Sequence, residues 1–545
     1  MNEAVLCDMV AGKLGVDRPV VPEYRKNSQI NAPQSPLAGH GIPDRDAARL
    51  RRGLARAWHQ LAGFQIELAL QGAMRVDRQA GLLPDSTMLA VRSEAKALRA
   101  AAFALQGDVM PALTAAQAAL ESGAASHIAL TVCRWAYWRL GDLDGLYAVR
   151  RRLPGSQPAP LHSIVVIFDL ALDAAIALSQ MHFNAASVLA YDALNLARRH
   201  PGHGNIDVFP ACVAAQVLYE TGRIDEAEAL IAPRFSSIAK MSAPEIAVRA
   251  YGLLARIALQ RGHIKQALML LEEAETLAVQ RNWTRLQLIS LAGQVETHLA
   301  RRSVADAQLV AKRLKRLCEQ TVTSGVSIDF EMRHHRVLTH ARLALARAPE
   351  TVDICALRQL YVTTRSRRDR YGAVKVAVLL IESLLATGQR DEATLLLVAL
   401  LETAALTGLH QTVVDCSEPV CGLIEAMVRG DSELVDDQRE LIPYLAALLT
   451  RRQHEMGARN IRMATLKVGK AVPQVCLSER ERTIVQLMGK GLTNKQIAIR
   501  LRIAPETVKS HAKHLYTKLS AKNRMEAVAI ASVHGHVQLL DRGSG

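Results

Sequence analysis

The chain is poor in aromatic residues: seven Phe, four Trp and ten Tyr make up 4% of 545 positions. Stretches rich in β-branched residues are also scarce, while Ala and Leu dominate a sequence that is 50% hydrophobic. Sheets and barrels draw on β-branched and aromatic side chains, so a β core is not expected and the composition favours helix nearly throughout. No uncharged apolar run reaches the roughly 18 residues of a membrane span. The eight cysteines (Cys7, Cys133, Cys212, Cys318, Cys355, Cys416, Cys421 and Cys476) are scattered and form no Cys-x-x-Cys pair. They make no disulfide framework, and a reducing compartment fits them. The first residues, Met1 to Asp8, lack a basic region followed by a long apolar run. No signal peptide is therefore expected, and the location is read as cytoplasmic.

Catalytic signatures are missing too. No Gly-x-x-x-x-Gly-Lys-Ser/Thr loop occurs, since Gly469-Lys470 has neither the upstream Gly nor the following Ser/Thr. Gly-x-Ser-x-Gly and His-Glu-x-x-His are absent. His334, His335 and His340 do not repeat at i, i+4, and Cys416 and Cys421 stand five apart without a His nearby, a poor basis for a zinc site. The chain is read as no enzyme, with no cofactor and no metal.

What is present begins with charge. The net charge is +15, and it is concentrated. Residues 477–534 hold eleven Lys/Arg against four Asp/Glu, and 451–476 hold six against one. The first 450 residues carry only about +3 of the total. A basic segment at one end of a near-neutral body is the footprint of a polyanion binder, or simply a solvated basic tail.

Along the chain, residues 1–44 are punctuated by Pro19, Pro22, Pro33, Pro36 and Pro43 and read as a poorly ordered tail. Over 45–455 one amphipathic helix follows another with a recurring mark. A Gly closes one helix, and an Ala stands five residues later inside the next: Gly107/Ala112, Gly222/Ala227, Gly262/Ala267 and Gly388/Ala393. Degenerate forms are Gly141/Leu146, Met181/Ala186 and Arg302/Ala307. The marks at 141, 181, 222, 262, 302 and 388 lie about 40 residues apart, with one unmarked repeat near 347. Helix pairs at a period of about 20–50 residues form an α-solenoid. The pattern resembles the tetratricopeptide superfamily in its MalT-like, longer-period form. Residues 456–475 are basic, weakly patterned and contain Pro473, and read as a linker.

The final domain, 476–540, is more specific. Ser478 with Glu481 forms a capping box for a first helix, whose apolar face is Ile484, Val485, Leu487 and Met488. Thr493 caps a short second helix, Asn494–Leu501, with Ile497, Ala498 and Leu501 inward. After a turn at 502–504, Pro505 opens a third helix reaching Leu519, with Val508, Ala512, Leu515 and Leu519 inward. A fourth runs from Arg524 to Ser532, burying Ala527, Val528 and Ala531. Two short helices joined by a tight turn make a helix-turn-helix, whose second helix enters the major groove.

The stretches LSERER, GLTNKQIA, ETVKSHAKHLYTKL and KNRMEAV closely resemble the LuxR-type (NarL/FixJ-type) DNA-binding domain over about 55 residues. The fold class is thus all-α: a solenoid of tetratricopeptide-like helix pairs followed by a four-helix LuxR-type domain. The resemblance implies that Lys509, Ser510 and Lys513 face base edges, that Thr493, Asn494, Lys495, Thr507 and Lys518 lie along the DNA backbone, and that the fourth helix dimerises. Partners implied are double-stranded DNA, RNA polymerase, a second copy of the chain on DNA, and a small-molecule, peptide or protein effector on the solenoid. Three positions depart from the family: Ala504 stands where Ser usually caps the reading helix, Gln496 replaces Glu, and Ser520-Ala521 replaces Gly-Val. The ATPase domain that precedes the repeats in MalT-like regulators has no counterpart motif here. The reading is a sequence-specific transcription regulator; the alternative is a protein-interaction scaffold recruited to DNA.

Overall fold

The computed structural model describes residues 45–81, 86–122, 127–149, 160–200, 205–241, 243–321, 326–429, 440–468, 479–489, 492–501, 503–518, 521 and 527. Among the described residues there are helices and no strand. The expected tail, 1–44, lies outside them. The chain divides into two units, 1–456 and 457–545.

The first unit is a run of helices. In order they are α1 (Arg45–Ala62), α2 (Ile66–Ala80), α3 (Ser86–Gln106), α4 (Val109–Glu121), α5 (His127–Leu140), α6 (Leu143–Ala148), α7 (Pro160–Ser179), α8 (Phe183–Arg198), α9 (Val208–Glu220), α10 (Ile224–Ile231) and the short α11 (Phe235–Ile238). Then follow α12 (Pro244–Gln260), α13 (Ile264–Arg281), α14 (Thr284–Ala300), α15 (Val304–Gln320), α16 (Val326–Arg347), α17 (Ile354–Ser366), α18 (Arg370–Ala386), α19 (Arg390–Thr407), the short α20 (Gln411–Val414), α21 (Glu418–Arg429) and α22 (Ile442–Val468).

One turn joins most neighbours. At each of the seven marks read from the sequence the closing residue adopts the left-handed region: φ is +79° at Gly262, +63° at Met181 and +59° at Arg302. Three further turns of the same kind were not read from the sequence, at Phe64 (φ +56°), Asn282 (φ +54°) and Arg368 (φ +53°). The hydrogen bonds repeat as well. Around Gly262, its own N–H reaches Leu259 O (2.9 Å), the next N–H reaches Ala258 O (2.8 Å), and Ala267 N–H already bonds His263 O (3.0 Å). This is a Schellman ending whose last residue caps the following helix. The turn is so short that the residue five past the mark is the first to meet the preceding helix. Ala69, Ala112, Ala186, Ala227, Ala267, Ala307, Ala373 and Ala393 are there and buried, which lets the paired helices approach closely, while at the short α6 the place is taken by Leu146, also buried. The unmarked repeat near 347 is also explained. After α16 a 3-10 turn at Pro349–Thr351 intervenes, and Asp353 caps α17 by accepting from Ala356 N–H (2.9 Å).

The pairs coil until residues some 190 apart meet inside, where α5, α7 and α9 face α16, α18 and α20. This inner contact is ionic. Arg139 bonds Glu331 (2.7 Å), Arg285 bonds both Glu331 (2.8 Å) and Glu245, and Arg249 bonds Glu245 (2.9 Å). The wholly buried Glu220 accepts from Arg256 (2.9 Å), the Thr412 hydroxyl (2.7 Å) and amide (3.1 Å), and Tyr371. Burial alone would raise these carboxyls. The arginines outweigh it, holding Glu220 and Glu245 below the ordinary range and Glu331 down to about 2. His334 and His335 touch ring to ring at 5.3 Å. Burial pushes them down to about 3 and about 4, against the pull of Glu331 on both and of Glu296 on His335.

The segment read as a linker, 456–475, begins at the boundary between the units and is helical to Val468 as the end of α22; 469–475 lie outside the described residues. Met, Ala, Arg and Leu over 456–466 are good helix formers, and the one Gly457 costs only about 1 kcal/mol. In the second unit lie α23 (Glu479–Gly489), α24 (Asn494–Leu501) and α25 (Pro505–Lys518). They pack around Ile484, Val485, Leu487, Met488, Ile497, Ala498, Val508, Ala512 and Leu515, together with Ala527.

Two expectations follow. At Gly388 a Cβ would meet nothing within 4 Å, so Gly388→Ala isolates the backbone and should lower stability by about 1 kcal/mol. Exposed Arg302, strained in the same region, should gain from Arg302→Gly by a similar or smaller amount; thermal melting with shifts of one sign would contradict the turn. The second concerns acid. Unfolded histidines protonate near 6.5, above the folded values of His334 and His335. The unfolded chain therefore binds more protons below pH 6.5, and stability falls as pH drops from there towards 4. His335→Gln should flatten that slope, by up to about 1.4 kcal/mol per pH unit; identical slopes would refute the assignment.

Candidate nucleic-acid interface

The second unit is built from its core outward. Val508, Ala512 and Leu515 are buried at 0%, 5% and 0% exposure, at spacings of four and three. They turn one face of α25 inward. The residues between them must then point out: Glu506, Lys509, Ser510 and Lys513 share the outer face, and all are exposed. Thr507 is exposed on its flank. The three residues expected at base edges are therefore brought together on one exposed helix face.

Lys509 is held by Glu506 one turn earlier (2.7 Å), in a pair whose side chains are 61% and 78% exposed. A pair this wet contributes at most about 1 kcal/mol and can be exchanged for a stronger anion. Glu506 was missed as a member of this face, although the i, i+3 spacing to Lys509 was there to be read. Pro505 opens α25, and Ala504 O accepts from Thr507 N–H (3.0 Å) and Val508 N–H (3.3 Å). Ala504 has no side-chain oxygen to cap the helix, and Pro505 removes one of the amides a cap would have to satisfy.

At the start of α24, Thr493 and Gln496 cap each other. Gln496 Oε1 accepts from Thr493 N–H (2.8 Å) and from its hydroxyl (3.0 Å), while Gln496 N–H reaches back to Thr493 Oγ1 (3.4 Å). This is a capping box with Gln in place of Glu. The amide keeps the geometry without placing a negative charge at the positive end of the helix. Thr493 and Lys495 are exposed there, and Asn494 is half-buried.

Lys518 is placed differently from its neighbours. Its ammonium donates to Glu481 (2.7 Å), whose side chain is only 5% exposed. The bridge ties the end of α25 to α23 across 37 positions, and no local pattern announces it. Glu481 was read as half of a capping box with Ser478. Ser478 lies outside the described residues, and the carboxylate holds Lys518. Most of the fourth helix expected over Arg524–Ser532 is outside them as well, and of it only Ala527 is described, wholly buried. Elsewhere, among the described residues, no cluster of three or more His, Cys, Asp or Glu could hold a metal ion, and no helix is long and apolar enough to cross a membrane.

Comparison with known proteins agrees with both units. Residues 93–429 match the family model of the MalT-like TPR region, and residues 475–531 match that of bacterial regulatory proteins, luxR family. Among curated relatives, the HTH-type transcriptional regulator MalT of Vibrio campbellii is 28% identical over 351 residues, covering 60% of this chain and 36% of that protein. The chain thus spans little more than a third of the MalT relatives it matches. The nitrate/nitrite response regulator protein NarL of Escherichia coli is 51% identical over 51 residues, 9% of this chain and 24% of that one. Among solved structures, a Rap protein complexed with competence and sporulation factor superposes with a TM-score of 0.51 at 10% identity, covering 66% of this chain and 99% of its own; that likeness is one of fold. With its family model matched over 93–429 and a luxR-family segment at 475–531, the chain belongs to the MalT-like TPR family.

Proposed function

We propose that this protein is a sequence-specific, double-stranded-DNA-binding transcription regulator in which the solenoid receives a signal and α25 reads the major groove. The observation that carries the reading is the outer face of α25. Lys509, Ser510 and Lys513 stand exposed there above a fully buried stripe, within a stretch that holds eleven basic against four acidic residues. Lys side chains one turn apart reach guanine O6 and N7, and Ser510 between them is small enough for the helix to sit deep. The capped start of α24 offers backbone amides to a phosphate. Thr493, Asn494 and Lys495 flank that phosphate, and Thr507 lies beside a second. Lys518 serves first to hold α25 on α23 and adds its positive field to the backbone side.

The signal-receiving role rests on the first unit. A solenoid presents one continuous surface assembled from many repeats, so one ligand or partner can bridge several helix pairs. A second copy of the chain on DNA, RNA polymerase as the downstream partner and a cytoplasmic setting complete the reading.

Lys509→Ala should weaken binding to a selected site by about 1–3 kcal/mol while leaving random DNA less affected. Lys495→Ala should weaken both alike and make the plot of log affinity against log salt shallower by roughly one unit. Binding titrations on selected and scrambled duplexes at several salt concentrations check both. Equal losses for Lys509→Ala on the two duplexes would make it a backbone contact, and no loss for either variant would overturn the proposed face.

A further inference from the structure

Beside the ionic interior lies an apolar cavity of about 120 Å³, open on one side and walled by α1, α3, α5, α7, α9 and the start of α12. Its position is informative. Trp58 and Leu61 belong to the core of α1–α3, Val132 to that of α3–α5, Ile164 to a small core under α7, and Phe209 and Ile246 to the large core of the later repeats. The cavity is the gap left where these cores meet. Trp58, Trp135, Phe168 and Phe209 line it. They are four of the eleven Trp and Phe in a chain with few aromatics.

The polar groups in the wall are already engaged. Trp58 Nε1 donates to Glu94 (3.0 Å). The Thr131 hydroxyl lies 3.1 Å from both His127 O and Asp169 Oδ1. The Glu245 carboxylate is held by Arg249 (2.9 Å) and by Arg285. A ligand carrying a charge or several hydroxyls would lose its hydration and find no free partner in return. An apolar ring would exchange water for aromatic and aliphatic contact. An apolar protein cavity of about 150 Å³ accepts benzene, which sets the scale.

We infer that this cavity is a binding site for a neutral, apolar compound of a single ring, which ties the N-terminal helix pairs to the main body of the solenoid. The ligand occupies the seam, so its binding favours the docked arrangement of the two parts over any looser one. The inference deepens the reading of the solenoid as a signal receiver, and rests on that reading only for its consequence at DNA.

The test uses the full chain with toluene, a neutral single-ring compound, as the probe, followed by ligand-observed NMR and calorimetry, with benzene as competitor. The expected result is saturable binding of one probe per chain, displacement by benzene but not by glucose, and a raised melting temperature. Ala104→Leu fills the cavity from α3 and should weaken probe binding at least tenfold with the helical circular dichroism intact. Ala101→Leu fills it from one turn earlier and stands in if the first variant fails to fold. Absence of saturable binding to the unaltered chain, binding undiminished in both filled variants, or displacement by glucose would overturn the site. DNA affinity is measured separately with and without probe. A change supports the coupling. Binding of the probe with unchanged DNA affinity upholds the site and removes the link to the signal.

Discussion

A single backbone event organises the solenoid: one residue enters the left-handed region, the next caps a new helix, and five positions on a small side chain meets the helix just left. Among the described residues the turn recurs at ten positions from Phe64 to Gly388 with the same hydrogen bonds, and at eight of them an Ala stands five residues on. The turn leaves almost no freedom in the angle between successive helices, so repeating it produces a superhelix. The buried alanines let paired backbones approach closely, which is why a chain with so few aromatics can still bury its helices. Large side chains are not needed to fill a space that the backbone has already closed.

The coil then brings distant repeats face to face, and there the chain uses charge. Glu331 joins α16 to Arg139 of α5 and Arg285 of α14, and Glu220 joins α9 to α12, α18 and α20. Buried ion pairs add little net stability over well-packed hydrophobic residues, but removing one member strands the other. Such a lattice therefore specifies one closure among many. The apolar cavity lies next to it, where closure leaves separate cores imperfectly joined. A rigid ionic interior beside an underfilled seam suits a receptor, because a small amount of binding energy delivered at the seam acts on whole repeats.

Much of this was legible in the sequence because the turn writes itself locally. Gly262 with Ala267 announces its geometry within six residues, and even Met181 and Arg302 were found by the Ala or helix that follows. Phe64 and Arg368 were not, although Ala69 and Ala373 stand five residues beyond them; without a Gly the turn is marked by the Ala alone, and Ala is common throughout this chain. The helix-turn-helix was legible for the same reason: caps, turn and buried stripe each fall within a few positions. Contacts across long separations were invisible. Nothing local pairs Glu481 with Lys518 or Glu220 with Thr412, and Glu481 offered a nearer partner in Ser478. That 456–468 continue α22 as helix was not read, because the basic charge and Pro473 point elsewhere, although charge alone does not break a helix and the proline lies beyond Val468.

The central claim is that an exposed face of α25 reads DNA sequence while the solenoid governs that reading. Selection of genomic fragments by the full chain, with a Lys509→Ala, Lys513→Ala double variant run beside it, tests the claim most directly. The account predicts that the unaltered chain enriches a shared, near-palindromic site and that the double variant, equally folded, enriches none. Fragments enriched equally by both proteins, or no common site from the unaltered chain in either toluene-loaded or unloaded preparations, would contradict it.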